Sequence, residues 1–261
     1  MKKIKQHEKI VAIIPARMAA SRFPGKPLAK ILDLPMIEHV RRRVALCEIL
    51  SDVYVATCDQ EIMEEVQKHG GKAVMTANTH ERCTDRVEEA ARSIDADIVV
   101  IVQGDEPLFV ARTIEALVAP MLRDETIPCT NILSPITKES DQQDINIIKT
   151  VLNKDQDVLY FSRSPIPFLR VKSDAPLYRQ TGLSAFTKPF LRQFAKLAPT
   201  PLEVAESIDF LRILEHGFTV RGVIYDQPTI GVDRPPDVAK IEKAIKETPQ
   251  HWDIYQTILR T

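Results

Sequence analysis

The chain has few glycines. Only 8 occur in 261 residues, against roughly 18 at average usage. Prolines number 18, somewhat above their average share. These counts exclude a collagen-like chain, a flexible linker and a low-complexity tract. Hydrophobic residues make up 44% and charged residues 27%, which excludes a disordered chain as well. With so few glycines, each position that holds one calls for a reason.

A surplus of charge is also missing. The net charge is −1, so no overall field draws in nucleic acid or an anionic membrane. An anionic substrate must therefore meet cations gathered locally. The four cysteines, Cys47, Cys58, Cys83 and Cys129, show no C-x-x-C spacing and read as reduced thiols of a cytoplasmic protein. The opening MKKIKQHEK leads into IVAII, too short a run for a signal sequence or a membrane span. No HExxH or similar histidine spacing occurs, and no G-x-S-x-G elbow, which argues against zinc and serine-hydrolase chemistry. The P-loop and dinucleotide fingerprints are missing too.

What is present is alternation. Short β-rich apolar runs at 9–16, 52–58, 72–76 and 97–105 alternate with amphipathic stretches at 36–50, 60–69, 84–94 and 110–123. That pattern predicts an α/β fold with a mostly parallel sheet covered by helices. After Pro128 the pattern changes to strands separated by polar turns, which predicts a smaller β-rich lobe over about 128–187 within a single domain of 1–261. The spacing predicts one helix over Thr200–Glu215, with Thr200, Pro201 and Glu203 forming a capping box. A strand at 218–225 and helices at 235–247 and 251–259 close the chain.

Four places could carry chemistry. The loop after the first strand holds Arg17, Arg22, Lys26 and Lys30 and no acid between Ala16 and Leu32. Loops at the C-terminal edge of parallel strands bind ligands in such folds, and these cations suit phosphate oxygens; a solvated basic loop is the plainer reading. QGDEP (103–107) ends a buried strand, so Asp105 is placed to hold Mg²⁺ or, more plainly, to bond its own turn. Asp233 of GVD (231–233) reads either as a second Mg²⁺ carboxylate or as the N-cap of the next helix. Glu206 and Asp209 face a ligand or pair along their helix, Asp209 with Arg212 for example.

Taken in order, these pieces resemble the 3-deoxy-manno-octulosonate cytidylyltransferases (CMP-Kdo synthetases). IPARMAASRFPGKPLAKILDLPMIEHV resembles the family's opening signature, TDRVEEA its T-(E/D)-R segment and VIVQGDEPL its QGDEP. NIIKTVLN and VLYFSRSPIPF, PLEVAESIDFLRILEHG, and GVDRPPDV resemble its later segments. The combination and order are specific; no single piece is.

The resemblance implies a Rossmann-like nucleotidyltransferase fold with a mixed, mostly parallel sheet and a dimerising lobe. It implies a cytoplasmic homodimer in lipopolysaccharide biosynthesis that uses Mg²⁺ and couples CTP to a 2-keto-3-deoxy sugar acid, Kdo or a close relative. By position, Arg17, Ser21, Arg22 and Lys26 embrace the triphosphate, with Arg82, Thr84 and Gln103 completing the nucleotide site. Asp105 and Asp233 hold Mg²⁺. Gln103, Arg163, Gln180, Ser184, Glu206 and Asp209 lie near the sugar acid, and Arg22, Lys26, Asp105 and Asp233 carry the chemistry.

Three segments depart from the family pattern, one of them the LEQLR element, which stands here as Ile208-Asp-Phe-Leu-Arg212. Arg82 and Cys83 replace small residues of H-x-S-G-T-(E/D)-R, which bears on base selectivity. Gln180, Ser184 and Phe186 replace a histidine and two tyrosines of Y-(R/K)-H-x-G-(I/V)-Y-(A/G)-Y, which bears on the sugar. Two alternatives stay open at this point: a nucleotidyltransferase acting on a sugar 1-phosphate, and a nucleotide-binding regulatory protein without turnover.

Overall fold

A computed structural model describes residues 8–19, 22–171, 175–226 and 231–260. In chain order the first elements are β1 (Ile10–Ala16), β2 (Lys30–Ile31), β3 (Leu34–Pro35), α1 (Met36–Ala45), β4 (Asp52–Thr57), α2 (Gln60–Lys68), β5 (Lys72–Met75), α3 (Cys83–Arg92) and β6 (Ile98–Ile101). Then come α4 (Arg112–Arg123), β7 (Cys129–Pro135), α5 (Glu139–Gln143), β8 (Lys149–Leu152), β9 (Val158–Ser162) and β10 (Tyr178–Thr187). The chain closes with α6 (Lys188–Phe194), α7 (Pro201–Glu206), α8 (Phe210–Glu215), β11 (Arg221–Ile224), α9 (Pro235–Glu247) and α10 (Pro249–Leu259). The chain divides into two compact units near Ala116 and Pro228.

The unit formed by 8–115 and 231–260 is built on parallel pairing. β1 pairs β4 and β6, and β4 pairs β5, all parallel, giving the order β6-β1-β4-β5. The apolar runs of β1 and β6 are buried along nearly their whole length, as strands covered on both faces should be. The chain steps one way from β1 to β4 and β5, then returns to β6 on the other side of β1. That reversal is a topological switch point, where the crevice beyond the strand ends accepts ligands.

The segment after the first loop is tied down firmly. The β2–β3 hairpin leads into α1, where the ring of His39 bonds the Ile31 carbonyl at 2.7 Å. His39 stacks on Tyr255 of α10, and the Tyr255 hydroxyl donates to Asp33 Oδ2 at 2.6 Å. Burial is the main cause that holds His39 down to about 4, so it is neutral in the folded chain at pH 7.

The unit of 116–226 mixes pairings. β10 runs antiparallel to β7 and β8, and β8 to β9, while β11 lies parallel to β7. Its core is aromatic: Phe186 meets Phe190, Phe194 and Phe210, and Phe210 meets Phe161. Gly222 of β11 is explained by packing. A Cβ there would come within 2.7 Å of Leu133 and 2.9 Å of Leu152.

The helix expected over Thr200–Glu215 is two short helices. Ser207 turns into the left-handed region at φ 54 and stops α7. The break lets the Arg212 guanidinium fold back onto Glu203, at 2.7 and 2.5 Å. In an unbroken helix those two residues stand about 13.5 Å apart along the axis. Glu203 also accepts the Thr200 N–H at 3.3 Å, the half of the capping box in which it serves.

Candidate active site

The loops after β1 and β6 meet at the switch point. Gly25 sits at φ 72, a conformation that penalises residues with a Cβ. Its N–H donates to Met18 O at 3.0 Å, closing the basic loop on itself. The turn presents Lys26, whose Nζ reaches Asp105 Oδ2 at 2.6 Å and the Val232 carbonyl at 2.9 Å. Gly104 is needed beside it, because a Cβ there would stand 3.0 Å from the Pro15 carbonyl oxygen. The Val232 N–H donates to Asp105 O at 2.9 Å, so the segment holding Asp233 is bonded to the one holding Asp105.

Arg22 Nη2 lies 3.1 Å from Asp233 Oδ1, both side chains more than half exposed. Asp233 is not the N-cap of α9; that position is Arg234. Asp237 does the capping, accepting the N–H groups of Asp233 and Arg234 at 3.2 and 3.0 Å. Asp105 is likewise taken up by Lys26. Arg17 is exposed at the start of the same loop, and Ser21 lies outside the described residues. Arg22 and Lys26 thus each stand paired with a carboxylate.

Beside this lies the segment at the start of α3. Arg82 is its N-cap, Cys83 the first helical residue, and Thr84 is buried. The Gln103 amide approaches Cys83 Sγ at 3.6 Å. The sulfur that stands where the family pattern has glycine is therefore in contact with Gln103.

Of the residues expected near the sugar, Gln103 belongs to the parallel unit and the rest to the 116–226 unit. Arg163 and Glu206 are joined. The Arg163 N–H and the Ser162 hydroxyl donate to the Glu206 carboxylate at 2.8 and 2.7 Å, and Arg163 Nε donates to the Glu206 carbonyl at 2.7 Å. Gln180 and Ser184 flank an irregularity in β10, whose Thr181 and Leu183 carbonyls are satisfied by the Asn131 amide at 3.1 and 2.9 Å. Ser184 is buried opposite Asn131, Gln180 is half-buried, and Asp209 is the N-cap of α8.

Sequence reasoning missed two carboxylates. Asp59 accepts the Met18 N–H at 2.8 Å and so pins the basic loop from the far end of β4. Its one available signal was position, just past an apolar strand. Glu89, on α3, accepts the Ala77 N–H at 3.0 Å; nothing in helical periodicity marked it.

A parallel sheet thus carries a basic loop and two carboxylates at its switch point, the arrangement expected of an α/β nucleotidyltransferase. A cytidylyltransferase family model matches residues 11–223. A 3-deoxy-manno-octulosonate cytidylyltransferase of Geobacter metallireducens is 45% identical over 244 residues, covering 89% of this chain and 96% of that one. Its counterpart in Geobacter sulfurreducens is 41% identical, covering 91% and 99%. A solved CMP:2-keto-3-deoxy-manno-octonic acid synthetase, complexed with CTP, superposes with a TM-score of 0.88 at 37% identity, covering 92% of this chain and 99% of that one. The chain belongs to the 3-deoxy-manno-octulosonate cytidylyltransferase family.

Proposed function

We propose that this chain couples CTP to 3-deoxy-manno-octulosonate, forming the CMP-sugar and releasing pyrophosphate. The anomeric hydroxyl oxygen attacks the α-phosphorus, the bond to the pyrophosphate oxygen breaks, and the hydroxyl proton passes to solvent. The observation that carries the reading is the pairing of Lys26 with Asp105 and of Arg22 with Asp233 at the switch point. Such transfers depend on positioning and on neutralised charge more than on covalent help from the protein. Arg17, Arg22 and Lys26 bind and orient the triphosphate, and Arg82, Thr84 and Gln103 take the nucleoside.

Asp105 and Asp233 suit Mg²⁺. They are hard oxygen donors on two bonded loops, and two carboxylates plus phosphate oxygens are a usual Mg²⁺ set. Among the described residues no cluster of three or more His, Cys, Asp or Glu could hold a metal, so the remaining ligands would be phosphate and water. Held by Asp105 and Asp233, Mg²⁺ would supply Lewis-acid polarisation of the α-phosphate and would lower the pKa of the attacking hydroxyl.

The sugar-acid residues are Gln103 together with Arg163, Gln180, Ser184, Glu206 and Asp209 of the 116–226 unit, which also supplies the dimer contact. Ile145, Leu159, Phe168 and Val171 are exposed by 69, 60, 86 and 72%, an apolar set that a second copy would cover. Among the described residues no helix is long and apolar enough to cross a membrane, and the reading places the enzyme in the cytoplasm. The deciding experiment is pyrophosphate release with four NTPs against a panel of 2-keto-3-deoxy sugar acids and sugar 1-phosphates. CTP with 3-deoxy-manno-octulosonate should turn over fastest. A faster relative of that sugar acid would assign the Gln180–Ser184–Phe186 changes to substrate choice. A preference for sugar 1-phosphates, or no turnover of any pair, overturns the reading.

A further inference from the structure

The segment between β5 and α3, residues 76–82, has no strand or helix of its own, yet it delivers Arg82 and Cys83 to the site. Two side chains of α3 grip its beginning. The Glu89 carboxylate accepts the Ala77 N–H through both oxygens, at 3.2 and 3.0 Å. One turn earlier on α3, Arg86 donates to the Thr76 hydroxyl at 2.6 Å and to the Ala77 carbonyl at 3.3 Å. Both polar groups of residue 77 are therefore held by the same helix. Glu89 also bonds His80, two residues before Arg82. Its own pKa is lowered, with the His80 hydrogen bond as the main cause.

Arg86 is buried and reads as fixed architecture. Glu89 and His80 are only partly buried, with side chains 30 and 20% exposed, and they fix the part of the loop nearest the site. A short loop held at residues 77 and 80 and then entering a helix at 83 has little freedom left for Arg82. Removing the grip would restore that freedom, and each CTP bound would then have to order the loop again.

We infer that Glu89, acting through His80 and Ala77, is a positioning residue for base recognition: it fixes the Arg82–Thr84 segment so that the nucleotide meets it already formed. The inference rests on the reading of that segment as part of the nucleotide site. Its signature is a split between parameters. A loosened base loop weakens CTP binding and base choice while leaving the phosphate, metal and sugar machinery in place.

The experiment is steady-state pyrophosphate release with CTP and UTP by wild type, Glu89→Ala, Glu89→Gln, His80→Gln and Arg82→Ala, with melting temperatures alongside. Glu89→Ala should raise KM for CTP by about tenfold, narrow the CTP-over-UTP preference, and leave kcat and the sugar-acid KM within about twofold. Glu89→Gln, which keeps an acceptor for Ala77, should recover most of the loss. His80→Gln should shift KM in the same direction by less, and it carries the test where Glu89→Ala fails to fold. An unchanged KM for CTP in both Glu89→Ala and His80→Gln, with only a lower melting temperature, overturns the inference. If Arg82→Ala raises KM for CTP while those two do not, the positioning role alone fails. If Arg82→Ala also leaves it unchanged, the base-site reading fails and takes this inference with it.

Discussion

Charge is placed differently in the two units. In the parallel unit Glu38 is sealed against Arg41 and Arg42 on α1, but two pairs at loop ends stay partly open to solvent: Lys26 with Asp105 at side-chain exposures of 15 and 35%, Arg22 with Asp233 at 57 and 58%. In the mixed unit the strongest pair, Arg212 with Glu203, is sealed at 7 and 3%, its guanidinium over the Phe194 ring. Lys149 in the same unit is fully buried and spends its ammonium on the carbonyls of Asp144, Ile147 and Arg163. An exposed pair separates at little cost and can exchange partners with a ligand. A buried pair cannot, because separating it strands a charge in the interior. The parallel unit therefore carries both kinds of pair, open ones at its loop ends and a sealed one on α1, whereas the strongest pair of the mixed unit holds chain segments together.

The sharpest way to break this contrast is Asp105→Asn. If the open pair serves chemistry, kcat should fall by about a thousandfold with little change in melting temperature. Pyrophosphate release at saturating Mg²⁺ measures it, and unimpaired turnover would overturn the proposal of Asp105 as a Mg²⁺ ligand. Glu203→Ala should do the reverse. It strands Arg212 and costs about 3–5 kcal/mol in urea unfolding, whereas Glu203→Leu with Arg212→Met should recover most of that. Equal losses in the single and double variants would show that the pair is not the source.

A third test concerns pH. His39 is held neutral, at about 4 instead of 6.5, so the unfolded chain takes up its proton first as pH falls. Stability contributed by the neutral ring is complete above about 6.5 and is lost as pH falls from there toward 4, by up to roughly 3 kcal/mol. His251, also lowered by burial, acts in the same direction. Unfolding of wild type and His39→Gln at pH 7.5 and 5 should show the variant with the shallower slope; parallel slopes would place the acid sensitivity elsewhere. The smallest effect belongs to Gly25→Ala, which should cost about 1 kcal/mol through its positive φ and raise KM for CTP modestly. An unchanged KM would show that the Gly25 turn does not shape the basic loop.

How far the sequence could be read also differs between the units. The alternation of apolar runs with amphipathic stretches foretold β1, β4, β5 and β6 with the helices between them; β1 and β6, buried along their length, are apolar throughout, whereas β5 has exposed ends. The basic loop and QGDEP were visible for the same reason, since polar residues directly after such a strand have nowhere to go but its end. The 200–215 stretch misled. Its periodicity is helical on both sides of Ser207, and local spacing encodes neither the left-handed turn there nor the Glu203–Arg212 contact that the turn allows. Asp233 was ambiguous for a related reason: only in the folded chain does Asp237 take the capping duty and leave Asp233 to Arg22.

The amino-acid sequence by itself determined the strand–helix order, the cations and carboxylates, and, through its ordered motifs, the family. These are local properties, set by apolar period, by turn chemistry and by which residue types occur together. Tertiary structure decided which charges meet: Lys26 with Asp105 across 79 positions, and with the carbonyl of Val232 across 206. It also decided that Gly222 must lack a side chain and that Glu89 grips Ala77. Those outcomes depend on close approach between distant segments, and distance in space is set by sheet order and packing, which no local pattern records.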